Sequence, residues 1–324
     1  LTRADVYEEG GGYKTLLNAL RDSETEYLRV CTKREQQTQR RHQRFWKDAS
    51  QSQEITVVQH LHLSCDVYKN FPIDRLFEGV RIFTALKGLY IFCDDGWVRT
   101  NKIPFVRLTN EFATTMTALK KLTRVSLSGI LLNKLPEEES SIDHLCTGLA
   151  ALRSLKTLEL ESAFMSEEGW TRLAETLQST SKLTELSITN DFSERAAWAD
   201  TLNPTVEVLR SMFQYQSDLT TFKTRRTGYG HKCIAALSQL DSTRLTHLDV
   251  TGNDVHYDDT LHGVISGFAF LSNVKLLGMR NTALHNGDIP TLVQAIQHME
   301  QLELVNFSAN PQLLVTRTDN TGVA

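Results

Sequence analysis

The sequence predicts an α/β solenoid, a horseshoe with a parallel inner β-sheet and outer helices, from three observations. A triplet of apolar residues, spaced apolar–x–x–apolar–x–apolar, recurs nine times between Val58 and Phe307. Most copies are followed, three positions after the last apolar residue, by a side chain that can hydrogen-bond the backbone. Between copies, apolar residues return at helical rather than strand spacing.

The triplets begin with Val58, Leu61 and Leu63, then Leu86, Leu89 and Ile91, then Leu122, Val125 and Leu127. Leu155, Leu158 and Leu160 follow, then Leu183, Leu186 and Ile188, then Leu219, Phe222 and Thr224. The last three are Leu245, Leu248 and Val250; Val274, Leu277 and Met279; and Leu302, Val305 and Phe307. Central residues fall at 61, 89, 125, 158, 186, 222, 248, 277 and 305. The mean interval is about 30 residues, enough for one strand and one helix in each unit. Helical stripes are expected at Leu76, Val80, Phe83 and Leu86, at Leu173, Ala174 and Leu177, at Val206, Leu209, Met212 and Phe213, and at Leu292, Val293 and Ile296. Pro204 and Pro290 are expected where helices begin, a place that tolerates a missing N–H. The polar turn position holds Asp66, Asp94, Asp191, Thr227, Asn253, Thr282 and Asn310. Each can satisfy backbone groups that stacking would otherwise bury unpaired. Ile130 and Ala163 cannot, so those two turns must close differently.

The run Leu245-Thr-His-Leu248-Asp-Val250-Thr-Gly-Asn253 resembles the leucine-rich-repeat superfamily. Helix-bearing units of about 28 residues are similar to its ribonuclease-inhibitor-like subtype. The resemblance covers a domain of about nine units over residues 55–312. Residues 1–54 are less regular: Tyr13, Leu16, Leu17 and Leu20 suggest a short helix, and Glu26 to Val30 a strand. They are expected to form an N-terminal helical cap or a degenerate first repeat, since solenoid ends need atypical units. Residues 313–324 are expected to be a C-terminal tail, polar from Thr316 onward.

Composition is that of an ordinary folded domain, with 40% hydrophobic and 23% charged residues. A net charge of −4 gives no overall attraction to nucleic acid. The five cysteines, Cys31, Cys65, Cys93, Cys146 and Cys233, show no metal-ligand spacing. Free thiols in a reducing compartment are the simplest expectation. No apolar run reaches a membrane span and no signal-peptide pattern opens the chain, so a cytoplasmic location is expected. Phosphate-loop and GxSxG motifs are absent, and Gly10-Gly-Gly12 lacks a strand-then-helix setting. His60 and His62 alone make no metal site. The expectation is a protein that is not an enzyme and carries no cofactor.

Within each strand the residues between the apolar ones face the concave side. That places Tyr90 and Phe92, beside His60 and His62, in an aromatic zone. Glu159, Glu161 and Glu185 form an acidic zone, and Lys223, Arg225 and Arg226 a basic one, followed by His247 and Asp249. The candidate partner-binding residues are Tyr90, Phe92, Glu159, Glu161, Glu185, Lys223, Arg225 and Asp249. Aromatic residues and arginine are enriched at interface hot spots, so the expected function is a non-catalytic scaffold recognising a protein partner. The basic, aromatic segment 33–47 is the only candidate for nucleic acid. The subtype also implies alternatives: a GTPase activator, or a ubiquitin-ligase substrate adaptor. A structural component of a large assembly and a pathogen effector are further readings.

Overall fold

A side-chain period of two makes each triplet a strand with one apolar face, and that face must be covered. The computed structural model describes residues 2–6, 17, 19–20, 24–31, 46–47, 49–51, 53–66, 73–94, 107–130, 132, 141–161, 163, 165–180, 182–189, 204–240, 244–253, 267–268 and 271–313. Among them are eleven strands. They are β1 (Thr2–Val6), β2 (Thr25–Cys31), β3 (His60–Asp66), β4 (Gly88–Asp94), β5 (Arg124–Ser128) and β6 (Thr157–Glu161). Then come β7 (Glu185–Thr189), β8 (Thr221–Arg225), β9 (His247–Asp249), β10 (Leu276–Gly278) and β11 (Leu304–Asn306). All pair in parallel and in chain order, in one sheet. The central apolar residues are direct partners: Leu61 with Leu89, Leu158 with Leu186, Leu248 with Leu277.

Helices cover the apolar face. They are α1 (Ile73–Val80), α2 (Asn110–Ala118), α3 (Ser141–Ala151), α4 (Glu167–Ser179), α5 (Val206–Tyr215), α6 (Gly230–Ser238) and α7 (Ile289–Gln297). From α1 to α6 each packs on the next. Strands repeat every 4.7–4.9 Å or so while packed helices need about 8–10 Å, so the stack curves with the sheet inside.

The predicted stripes Leu173, Ala174 and Leu177 in α4, and Leu209, Met212 and Phe213 in α5, are buried. Leu76 and Val80 are buried in α1, and Phe83 and Leu86 in the turn beyond it. The stripe in α7 differs. Leu292 and Ala295 face the core, while Val293, one residue and so about 100° round from Leu292, is exposed. Pro290 lies in the first turn of α7. Pro204 instead precedes the cap residue Thr205, whose Oγ1 accepts from the Val208 amide at 3.3 Å. Ser166 caps α4 in the same way, accepting from Gly169 at 3.2 Å. In the threonine-rich α2, Thr114 and Thr117 donate back to the carbonyls of Asn110 and Ala113, and buried Thr115 donates to the Phe77 carbonyl of α1 at 2.9 Å.

The polar turn position works as a bridge between units. Buried Asn253 accepts from the amides of Thr227 (3.1 Å) and Gly228 (2.9 Å) and donates to the carbonyls of Val250 (2.8 Å) and Thr224. Asn310 does the same one step on, accepting from Thr282 (2.8 Å) and Leu284 (3.2 Å) and donating to Met279 and Phe307 at 2.9 Å. Asp66 and Asp94 end strands β3 and β4, and Asp191 lies outside the described residues. At Ile130 the turn closes differently: the side chain is buried and the preceding Gly129 amide donates to the Glu161 carbonyl at 3.0 Å.

The ladder runs without a break across residue 55. Leu28 of β2 is the register partner of Leu61, and β1 extends the sheet by one more strand. Trp46 is buried against α1, where a Cβ on Gly79 would lie 2.6 Å from the indole, so only glycine admits the ring. Residues 33–45 of the basic segment lie outside the described residues. At the other end, Leu302, Val305 and Phe307 are only half-buried, and Leu304 is 61% exposed.

Candidate interaction surface

The solvent-side residues of the strands form rows across the sheet. One row runs Tyr27, His60, Gly88, Arg124, Thr157, Glu185, Thr221, His247. The next runs Arg29, His62, Tyr90, Ser126, Glu159, Ser187, Lys223, Asp249. A third carries Phe92, Ser128, Glu161, Thr189 and Arg225.

Over β2–β5 the rings stack on one another. His62 lies 3.8 Å from Tyr90 with planes 20° apart, and 4.5 Å from Tyr27 on its other side. Arg124 covers the far face of Tyr90, its guanidinium carbon 5.7 Å from the ring centroid. Gly88 makes this possible: a Cβ there would lie 2.6 Å from His60 Nδ1 and 2.9 Å from Tyr90 Cε2. Burial, then the nearby Lys87, holds His60 below the usual imidazole range. Burial likewise raises the Tyr90 phenol, so it stays a hydrogen-bond donor.

Beyond β5 the charges pair diagonally between neighbouring strands. Arg124 donates to Glu159, Lys223 Nζ to Glu185 at 2.6 Å, and Arg225 Nε to Asp249 at 2.7 Å. Burial opposes the charge of Arg124, but Glu159 outweighs it and raises the guanidinium pKa. Burial alone would raise Asp249 as well; hydrogen bonds from Thr251 and Arg225 outweigh it and lower the carboxyl. His247, one row from the facing Lys223 and Asp249, is lowered by burial first and Lys223 second.

The predicted acidic and basic zones are thus one mixed surface in which Glu185 meets Lys223 and Arg225 meets Asp249. Phe92 is 39% exposed, two residues along β4 from Tyr90. Glu161 closes β6 between Ser128 and Thr189. Asp249 is buried at 5% exposure and aims Arg225 outward. Tyr27 and Arg124 were not singled out by sequence, although fixing the register puts Arg124 one strand and one row from both Tyr90 and Glu159. Among the described residues, no three His, Cys, Asp or Glu side chains cluster as a metal site.

Apolar triplets in register along a parallel sheet, with an asparagine bridging each turn to the next at Asn253 and Asn310, decide the architecture. The fold is that of a leucine-rich-repeat solenoid. No protein-family model matches the sequence, and no curated protein matches it. Among solved structures the repeat fold is similar to the leucine-rich repeat-containing protein LegL7 of Legionella pneumophila, at 16% identity over 77% of this chain and 74% of that one, with a TM-score of 0.46. It is similar to internalin C2 of Listeria monocytogenes at 15% identity, over 81% of this chain and 90% of that one, with a TM-score of 0.35. A third is TLR13, solved as a TLR13–ssRNA13 complex, at 13% identity and a TM-score of 0.46; the match spans 94% of this chain but 40% of that one. All three TM-scores are below 0.5.

Proposed function

We propose that this leucine-rich-repeat chain is a non-catalytic scaffold that recognises a protein partner through its concave sheet. The observation that carries the reading is the solvent access of that wall. Of the eight sequence-selected residues, Tyr90, Phe92, Glu159, Glu161, Glu185, Lys223 and Arg225 keep exposed surface, and the eighth, Asp249, positions Arg225. Side chains fixed by ion pairs on a rigid sheet lose little freedom on association, which favours affinity. Helix-bearing units support the ribonuclease-inhibitor-like subtype, and the continuity of β2 with β3 supports residues 1–54 as the first part of the solenoid. Among the described residues no helix is long and apolar enough to cross a membrane. The buried free thiols of Cys146 and Cys233 support a cytoplasmic location.

Crosslinking mass spectrometry in native extract, paired with pull-down, tests this. Crosslinks should fall on the concave strands, and two variants, Phe92→Ala with Glu161→Gln and the neutral pair Glu185→Gln with Lys223→Gln, should each lose most of the captured partner while melting close to the wild type. Crosslinks confined to the helices, with capture unchanged in both variants, would refute the concave site.

A further inference from the structure

We infer that one flank of the solenoid, the row of turns leading from the helices back into β4–β7, docks on an anionic phospholipid membrane. The flank is separate from the concave wall and leaves that wall open for a protein partner. Parallel strands in register begin level with one another: Gly88, Arg124, Thr157 and Glu185 are successive partners. The turns that precede them therefore share one edge. Those entering β5, β6 and β7 are 119–123, 152–156 and 180–184, of equal length. The Thr123 amide donates to the Lys87 carbonyl at 2.8 Å, the Lys156 amide to Thr123 at 2.7 Å and the Thr184 amide to Lys156 at 2.8 Å. These bonds tie the turns into a continuous ledge.

Six exposed cations stand on it: Lys87, Lys120, Lys121, Arg153, Lys156 and Lys182. By sequence the turns contain no Asp or Glu. Lys156 Nζ donates to the Lys182 carbonyl, and Lys182 Nζ to that of Tyr215. Among the described residues the other four make no ion pair and no side-chain hydrogen bond. The remainder of the ledge is neutralised, Arg244 by Asp218 at 3.3 Å and Lys275 by Glu303 at 2.9 Å. At the other border Glu54 accepts from Thr84 at 3.3 Å. The concave carboxylates beside the ledge, Glu159 and Glu185, are held by Arg124 and Lys223. Helix C-termini attract cations, but folding does not demand them here, since the residues after α5 and α6, Gln216 to Asp218 and Gln239 with Leu240, include none. The net charge of −4 does not mask the patch, because salt confines each exposed charge to about 8 Å.

The residue types choose the partner. Five of the six are lysines, compact hydrated charges without the planar fork that reads a carboxylate or phosphate in two places. Lysine is depleted at protein interfaces, and these turns carry no aromatic ring on which an unpaired base could stack. A level row of point charges matches a plane of negative headgroups better than the curved backbone of a duplex, and clusters of about four to eight Lys or Arg suit anionic lipid. Tyr215, 42% exposed at the end of α5 beside Lys182, adds a ring of the kind that settles at a membrane–water interface.

The test is co-sedimentation of the full chain with vesicles of phosphatidylcholine alone, or of phosphatidylcholine and phosphatidylserine in equal parts. The mixed vesicles should carry the protein down at low salt and release it as salt rises, and the neutral ones should leave it in solution. Each cation near an anionic surface is worth about fivefold in partitioning, so Lys120→Gln with Lys121→Gln, and Lys87→Gln with Arg153→Gln, should each lose about thirtyfold. Arg210→Gln with Lys232→Gln removes the same charge from α5 and α6 and should lose far less. Circular-dichroism melts verify that the variants fold, and hydrogen exchange on the wild type with mixed vesicles should add protection at 119–123 and 152–156. Failure to bind mixed vesicles, protection confined to other segments, or equal losses in all three variants overturns the inference. Tighter binding of a DNA duplex or of polyglutamate, lost in the same two ledge variants, also overturns it and assigns the ledge to nucleic acid or to an acidic protein. Each of these outcomes leaves the concave reading to its own crosslinking test.

Discussion

Replacing Asn253 by alanine tests the principle that holds the units together. The side chain is fully buried, and its amide group serves two neighbouring units at once. Alanine removes the acceptor of the Thr227 and Gly228 amides and a donor to the Thr224 carbonyl. The Val250 carbonyl keeps the backbone amide of residue 253. The Thr224 carbonyl is left buried and unpaired at about 1–3 kcal/mol, and the part-buried Thr227 and Gly228 amides, which water can reach, add less, for a loss of about 2–4 kcal/mol. That is a large share of the roughly 5–15 kcal/mol that stabilises a typical domain. Chemical denaturation followed by circular dichroism measures the loss, and hydrogen exchange places it: the Thr227 and Gly228 amides should lose protection first. Asn310→Ala removes the same geometry from the half-exposed last unit, so it should free the Thr282 and Leu284 amides locally with a smaller shift in the global midpoint. An Asn253→Ala variant within about 1 kcal/mol of wild type would refute the claim that these asparagines tie one unit to the next.

Three further outcomes follow from the same geometry. Gly88→Ala should push His60 and Tyr90 off the strand, lowering stability by about 1–2 kcal/mol in a thermal melt and quenching any binding that depends on the stack. His60 and His247 are both held below the usual imidazole value, so the native state favours their neutral forms and the unfolded chain binds more protons. Their stabilising contribution is full above about pH 6.5 and is lost as pH falls through the lower folded values; the melting temperature should drop there, and less steeply in His60→Gln with His247→Gln. Leu158→Ala, at a fully buried central position, should cost about 3 kcal/mol by denaturant titration, whereas Val305→Ala in the half-buried last unit should cost less than about 1 kcal/mol.

The ladder was legible because leucine, isoleucine and valine at fixed offsets face a core shared by adjacent units, and a one-residue slip would turn them to solvent. Where that pressure weakens, so did the signal. In β1, Thr-Arg-Ala-Asp-Val holds too few large apolar residues to register as a strand. Helix α2 escaped because its threonines satisfy themselves on the helix backbone and only Phe112, Ala113 and Met116 mark its buried face, with Thr115 beside them. Val293 was misplaced because three apolar neighbours in α7 look alike in sequence, while only some can face inward. The concave residues were found by parity alone. Their partners were not, because ion pairs join positions 24 to 38 apart in sequence, a separation set by the helix and turns between strands.

Those diagonal pairs also make the repeats non-interchangeable. A unit duplicated between β8 and β9 would part Arg225 from Asp249 and leave a carboxylate with 7% side-chain exposure facing a stranger. One inserted between β7 and β8 would do the same to Glu185 and Lys223, whereas gain or loss of a unit past β10 disturbs neither. Shuffling of modules, the easiest way for a solenoid to change length, is therefore blocked in the middle of this chain and open at its C-terminal margin.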